Sequence, residues 1–178
     1  MRSPLKVGAL MPSSRWLAHC MARQLDLEKP GMVIELGAGT GAVTHALLEV
    51  VPPERLIIIE RDPNLCAILS SQFPDLNIIC ADAAELDEVI EKHKIKRLNA
   101  IVSSLPLLGM PKAVRTAITE QMAMAVEHHG IIIQFTYGPR SPINRDAMRH
   151  HHITGKRMKT IIANIPPAHV WVYGKAVA

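Results

Sequence analysis

With 178 residues, nearly half of them hydrophobic and an ordinary fraction charged, the chain can build one domain with a full core, which excludes a disordered chain. Three scattered cysteines, Cys20, Cys66 and Cys80, exclude a disulfide scaffold and any C-x-x-C motif, and no apolar run approaches the ~18 residues of a membrane helix. The net charge of +4 divides into two basic ends and an acidic middle, a pattern that suits an anionic partner, either a membrane surface or a nucleic acid.

No signal peptide is apparent, and the scattered thiols suit a reducing, cytosolic setting. Residues 1–12, with Pro4, Gly8 and Pro12, read as an irregular leader. Ser13 or Ser14 is placed to cap a helix running to about Glu28. Leu17, Met21 and Leu25 form one stripe of it and Trp16, Cys20 and Leu27 a second, so the helix is expected to pack on a sheet or to lie partly in a lipid interface. Residues 1–29 hold five Lys/Arg against two acids, residues 30–137 eight against thirteen, and residues 138–178 seven against one.

After the break at Pro30-Gly31 comes the short apolar run Met32-Val33-Ile34, expected as a buried strand. Glu35-Leu36-Gly37-Ala38-Gly39-Thr40-Gly41 follows, and then a helix over Ala42–Leu48 with Val43, Leu47 and Leu48 on one face. Strand, glycine turn and helix open a doubly wound α/β domain. The pattern is E-x-G-x-G-x-G, with no cation in the loop, where a dinucleotide fingerprint reads G-x-G-x-x-G. A carboxylate here would repel a pyrophosphate and attract a cationic ligand. The stretch resembles the first motif of class I methyltransferases, whose cofactor S-adenosyl-L-methionine carries an ammonium and a sulfonium.

A second strand is expected over Arg55–Glu60. Glu60 stands where this fold places the acid that bonds ribose hydroxyls, whereas Asp62-Pro63 fits a helix N-cap and first turn. A helix over about 63–72 leads to a third strand, Leu76–Cys80, and to Asp82, which is placed either to take the adenine amino group or to cap the next helix. Residues 85–96 read as a charged surface segment without chemistry. Strand four, Ala100–Ser103, ends in the loop Ser104–Gly109, where substrate would meet the methyl group. Pro111 starts a helix to about Glu127 with Val114, Ile118, Met122 and Val126 inward. Strand five is Ile131–Phe135, followed by the loop Thr136–Pro142, a helix over about 143–151, a basic strand Arg157–Ala163 and a last strand Val170–Tyr173. His150-His151-His152 is not expected to bind metal: consecutive histidines cannot all point one way, and no cysteine or carboxylate cluster is expected to join them.

Several stretches together resemble the bacterial phospholipid N-methyltransferases: Pro12–Ala18, Glu35–Gly41, Ser104-Leu105-Pro106-Leu107-Leu108, Gln134-Phe135-Thr136-Tyr137-Gly138-Pro139-Arg140-Ser141-Pro142 and Asn164–Tyr173. The resemblance implies an α/β, Rossmann-like class I fold, with a seven-stranded, mostly parallel sheet, helices on both faces and an antiparallel last strand. It implies a leader and helix over residues 1–29 that cover the cofactor site, and a single methyltransferase domain over 30–178. Implied cofactor contacts are Glu35, Gly37, Ala38, Gly39, Thr40, Gly41, Glu60, Arg61, Asp82, Ala83 and Ser103. Tyr137 and the carbonyls around Ser104 and Leu105 would orient the amine, and Arg140 would grip a lipid phosphate. No metal is implied. The acceptor would be phosphatidylethanolamine and its partly methylated forms, and the partner an anionic membrane on whose inner face a cytoplasmic, monomeric enzyme sits.

The chain also resembles ribosomal RNA adenine dimethyltransferases, which grip the target amine with an N-x-P-aromatic motif after strand four. Here that place reads Ser103-Ser104-Leu105-Pro106-Leu107, without asparagine or aromatic ring, and the chain holds only two Phe, two Tyr and two Trp. A flipped base needs a stacking face and polar contacts at its edge, so nucleic acid is the less favoured partner. A non-catalytic S-adenosylmethionine-binding or lipid-binding module is the third reading.

Overall fold

The β-branched run at Met32–Leu36 forms β1, and four of its five residues are buried, as a strand covered on both faces requires. The computed structural model describes residues 12–128, 130–162 and 167–175. Its helices are α1 (Pro12–Ala22), α2 (Ala42–Leu48), α3 (Pro63–Gln72), α4 (Leu86–Lys92), α5 (Lys112–Val126) and α6 (Arg145–His150). The further strands are β2 (Leu56–Glu60), β3 (Asn77–Cys80), β4 (Leu98–Ser103), β5 (Ile131–Thr136), β6 (Ile153–Ile161) and β7 (Ala168–Lys175). They form one seven-stranded sheet in the order β3-β2-β1-β4-β5-β7-β6. The first five are parallel, and β7 runs antiparallel between β5 and β6. The expected fold is the one observed. From β1 the chain steps to β2 on one side and returns at β4 on the other, so a crevice opens at the carboxyl ends of these strands.

Side-chain alternation divides the core. Val33, Ile58, Val102 and Ile133 point to the layer built by α1, α2 and α3, with Met21, Leu47, Leu69 and Phe73. Ile34, Ile57, Ile59, Ile101 and Ile132 point the other way, onto Leu86, Met122 and Val126 of α4 and α5. Each fully buried Leu or Ile contributes about 1.5–3 kcal/mol by leaving water.

Several boundaries differ from expectation. The first helix ends at Ala22 rather than Glu28, because the carbonyls beyond it are claimed from elsewhere. Asn99 Nδ2 donates to the carbonyls of Asp26 and Lys29 at 2.8 and 2.7 Å. Arg55 donates to those of Leu27, Lys29 and Gly31. Gln24 Nε2 donates to Cys20 O at 3.0 Å and closes the end of the helix. Of the expected second stripe, Cys20 is buried in the core and Leu27 packs against it, whereas Trp16 is 67% exposed. Residues 86–92 are the helix α4 rather than a featureless charged stretch, with Leu86 and Val89 buried among the charges. Val114 is exposed, and α5 buries Ile118, Met122 and Val126. The basic strand is β6, which starts earlier at Ile153 and carries a bulge between Arg157 and Lys159. Of the Asn164–Tyr173 stretch, residues 164–166 lie outside the described residues, as do residues 1–11 of the leader.

Candidate active site

The crevice is floored by the loop between β1 and α2. Gly37, Gly39 and Gly41 have φ of +71°, +59° and +86°, so the alternate glycine spacing records three left-handed turns. Gly37 N donates to Ile59 O and Gly41 N to Ala38 O, both at 2.9 Å. A Cβ at Gly37 would lie 2.5 Å from Leu105 Cδ2, and one at Gly41 would lie 2.7 Å from the Phe73 ring. At Gly39 a Cβ would meet nothing within 4 Å: this glycine faces open space in the crevice. Ala38 is buried beneath the loop and Thr40 is exposed on it.

Three carboxylates surround this space. Glu35 is fully buried and accepts from Thr44 Oγ1 at 2.7 Å, while its Oε1 has no partner. Burial pushes its carboxyl up to about 8; the Thr44 hydroxyl opposes the rise, and the nearby Glu60 charge adds to it. Glu60 ends β2 and bridges two loops, taking Gly39 N on Oε2 at 3.0 Å and the Arg61 and Asp62 amides on Oε1 at 2.9 and 3.0 Å. Asp62 caps α3 through Asn64 N at 2.8 Å, with Pro63 in the first turn. Asp82 uses Oδ1 to accept from Ala84 N at 2.9 Å, and Oδ2 lies 3.5 Å from the exposed guanidinium of Arg61. Asp82 thus caps a short turn starting at the buried Ala83, and its second oxygen still faces the crevice side held by Arg61.

The acceptor side lies after β4. Ser104 N donates to Leu36 O, and Leu105 N reaches Ser103 Oγ at 3.4 Å. The Leu105 carbonyl accepts twice, from Leu107 N at 2.9 Å and from Gln134 Nε2 at 3.0 Å. Pro106 O accepts from Gly109 N. Of the carbonyls expected to steer an amine, that of Leu105 is therefore saturated, and that of Ser104 takes none of these bonds. Gln134 is fully buried, and the sequence reading assigned it no role; its position next to Ser103 in the β4–β5 register puts it under the loop. Ser104 Oγ and Gln134 Oε1 are buried without partners, like Glu35 Oε1. Tyr137 is 53% exposed and sits edge-on to Phe135 at 5.4 Å. Arg140 is exposed in the following loop. That loop is anchored by Ser141, whose hydroxyl lies 2.9 Å from the buried Tyr173 hydroxyl.

S-adenosylmethionine fits these residues. Gly39 leaves open space, Glu60 and Asp82 bring carboxylate acceptors to the loops around it, and Glu35 Oε1 is buried without a partner.

A second opening lies beside the crevice on the α1 face. It is a cleft of about 720 Å³ lined by Trp16, Cys20, Ile161 and Ile162 together with three cations, Arg15, Arg23 and Lys159, and one acid, Glu49, which lies 3.4 Å from His19. Ile162 is 79% exposed. The β5–β7–β6 register puts this end of β6 beyond the carboxyl end of β5, on the crevice edge of the sheet.

The histidine run is also changed by the fold. No carboxylate cluster is expected to join it from sequence, yet α5 delivers two carboxylates. His151 Nε2 pairs with Glu120 Oε1 at 2.8 Å and its Nδ1 with Glu127 Oε2 at 3.0 Å, while His150 Nδ1 reaches Glu120 Oε1 at 3.0 Å.

Known proteins place this geometry. The family described as ribosomal RNA adenine dimethylase matches residues 14–134. The ornithine lipid N-methyltransferase of Singulisphaera acidiphila is 29% identical over 137 residues, covering 75% of this chain and 71% of that one. The ribosomal RNA small subunit methyltransferase A of Chlorobium limicola is 38% identical over 75 residues, covering 41% of this chain and 28% of that one. The match thus spans less than a third of the length of that RNA methyltransferase. Among solved structures, the methyltransferase domain of bacterial CtHen1-C superposes with a TM-score of 0.70 at 9% identity, covering 93% of this chain and all of that one.

Proposed function

We propose, from the premise that this chain belongs to the ribosomal RNA adenine dimethylase family and is an S-adenosylmethionine-dependent methyltransferase, that its acceptor is the headgroup amine of phosphatidylethanolamine and its partly methylated forms. The observation that carries this reading is the loop after β4. It places the Ser104 backbone carbonyl next to that of Leu105, which Gln134 holds from beneath, and brings no aromatic face or side-chain amide of its own to clasp a base. The adjoining cleft supports it, with exposed Trp16 and Ile162 set among Arg15, Arg23 and Lys159 as a surface suited to anionic lipid. The lipid-methylating relative aligns with three-quarters of the chain.

S-adenosylmethionine supplies an electrophilic methyl group on its sulfonium. The residues of the chain then have two tasks. Glu60 accepts from ribose hydroxyls, Asp82 Oδ2 from the adenine amino group, and the Gly39 backbone leaves the approach open. On the other side, the Ser104 carbonyl and the Tyr137 hydroxyl align the amine for in-line attack, where positioning supplies several kcal/mol. An ammonium with a pKa near 10 must first shed its proton, at about 4 kcal/mol at neutral pH, and a dry pocket lowers that cost. Arg140, exposed on the same edge, pairs with the lipid phosphate.

The test is methyl transfer from radiolabelled cofactor, offered separately to phosphatidylethanolamine vesicles and to small-subunit ribosomal RNA. Label in the lipid alone is expected. Label in RNA as N6-methylated adenine, with none in lipid, would overturn the acceptor assignment and favour the activity for which the family is described.

A further inference from the structure

We propose that Glu120, His150 and His151 form a site for one divalent transition-metal ion of the zinc class, with Glu127 as the outer carboxylate that orients His151. One donor atom from each of the three residues lies within 4.8 Å of the others. Two imidazole nitrogens and a carboxylate oxygen are the donor types that zinc takes, and Zn–N and Zn–O bonds of about 2.0–2.2 Å need only small adjustments from this spacing. A histidine ligand commonly passes its second ring N–H to a carboxylate, which fixes the tautomer. Glu127 Oε2, 3.0 Å from His151 Nδ1, is placed for that bond.

Glu120 Oε1 is the point on which both rings converge, with His151 Nε2 2.8 Å and His150 Nδ1 3.0 Å from it. The objection that consecutive histidines diverge fails for this pair. Helix α6 stops at His150 and His151 is its C-cap, which brings the two rings to 4.6 Å between centroids at a 35° tilt. The His150 side chain is 74% exposed, so an ion can reach the site from solvent.

The location makes the ion structural. Glu127 lies just before β5, and His151 just before β6, whose first residues pair with the end of β7 opposite the start of β5. The cluster thus sits at the amino edge of the parallel strands, away from the crevice. It joins α5 to a six-residue helix too short to hold itself.

The test uses untagged protein, stripped of metal and titrated with zinc by calorimetry in buffers of different ionisation enthalpy, with cobalt as a spectroscopic substitute. Expected are one ion per chain with a Kd in the micromolar range or tighter, proton release on binding, and a visible cobalt spectrum of four-coordinate intensity. His150→Ala, at an exposed position, should weaken zinc at least tenfold and cancel the zinc-dependent rise in Tm, while the metal-free protein keeps its circular dichroism. Absence of stoichiometric binding, or equal affinity in His150→Ala, would overturn the site and leave a proton as the cation in the cluster.

Discussion

Glu35 holds an uncompensated oxygen buried at the end of β1, and this has a cost that depends on pH. Its carboxyl sits near 8 in the folded chain, against about 4.5 when exposed. Between these values the folded state keeps a proton that the unfolded state has lost. Stability therefore falls as pH rises from about 5 to 8, by at most about 1.4 kcal/mol per unit for a single group. Denaturant titrations across that range should show the slope in the parent chain and a shallower one in Glu35→Gln, the remainder belonging to His151, which, against the lowering effect of burial, Glu127 and Glu120 hold above the usual imidazole range. Gly39→Val should lower cofactor affinity at least a hundredfold by calorimetry, because the new side chain fills the open space, and should cost about 1–2 kcal/mol for its left-handed backbone. Much of this was legible in sequence. Alternate glycines after a buried strand announce left-handed turns, and Asp62-Pro63 announces a cap. Neither the saturation of the Leu105 carbonyl nor the pairing of Glu120 and Glu127 with His151 could be read, because the partners lie 24–31 residues apart and only the tertiary fold brings them together.

At the scale of elements, single polar anchors set the ends and seats of helices and strands. Asn99 is buried and its amide holds two carbonyls of the segment between α1 and β1. Asn99→Ala strands those acceptors and should lower stability by about 1–3 kcal/mol in urea denaturation. Gly155 lets the Tyr173 ring lie across β6, since a Cβ there would come within 2.2 Å of it. Gly155→Ala should cost about 1–3 kcal/mol by overpacking and loosen Ser141, raising KM for the acceptor more than for the cofactor. The Asp62-Pro63 cap foretold α3, and the stripe of Ile118, Met122 and Val126 foretold α5. Helix periodicity missed α4, where two buried residues among four charged ones give a weak stripe, and it overran α1, where nothing in the sequence showed that Arg55 and Asn99 would claim the carbonyls.

For the molecule as a whole, the crevice and the α1–β6 cleft open on one edge of the sheet. Replacing both Trp16 and Ile162 with serine should reduce binding to vesicles containing acidic lipid at least fivefold in flotation assays, with cofactor affinity unchanged. The parent chain should detach as salt rises, because screening confines exposed charges to about 8 Å at physiological ionic strength. The strand that carries these cations has a further consequence. Among the described residues β6 is the free margin of the sheet, nine residues long, with a bulge near Met158 and Lys156, Arg157 and Lys159 along it. An unpaired margin of that length would otherwise invite another chain to extend the sheet. Charge and kink together make it a poor template. The opposite margin, β3, is only four residues long. Substituting the three cations with threonine should therefore produce concentration-dependent association through β6, visible by light scattering, even where catalysis is untouched.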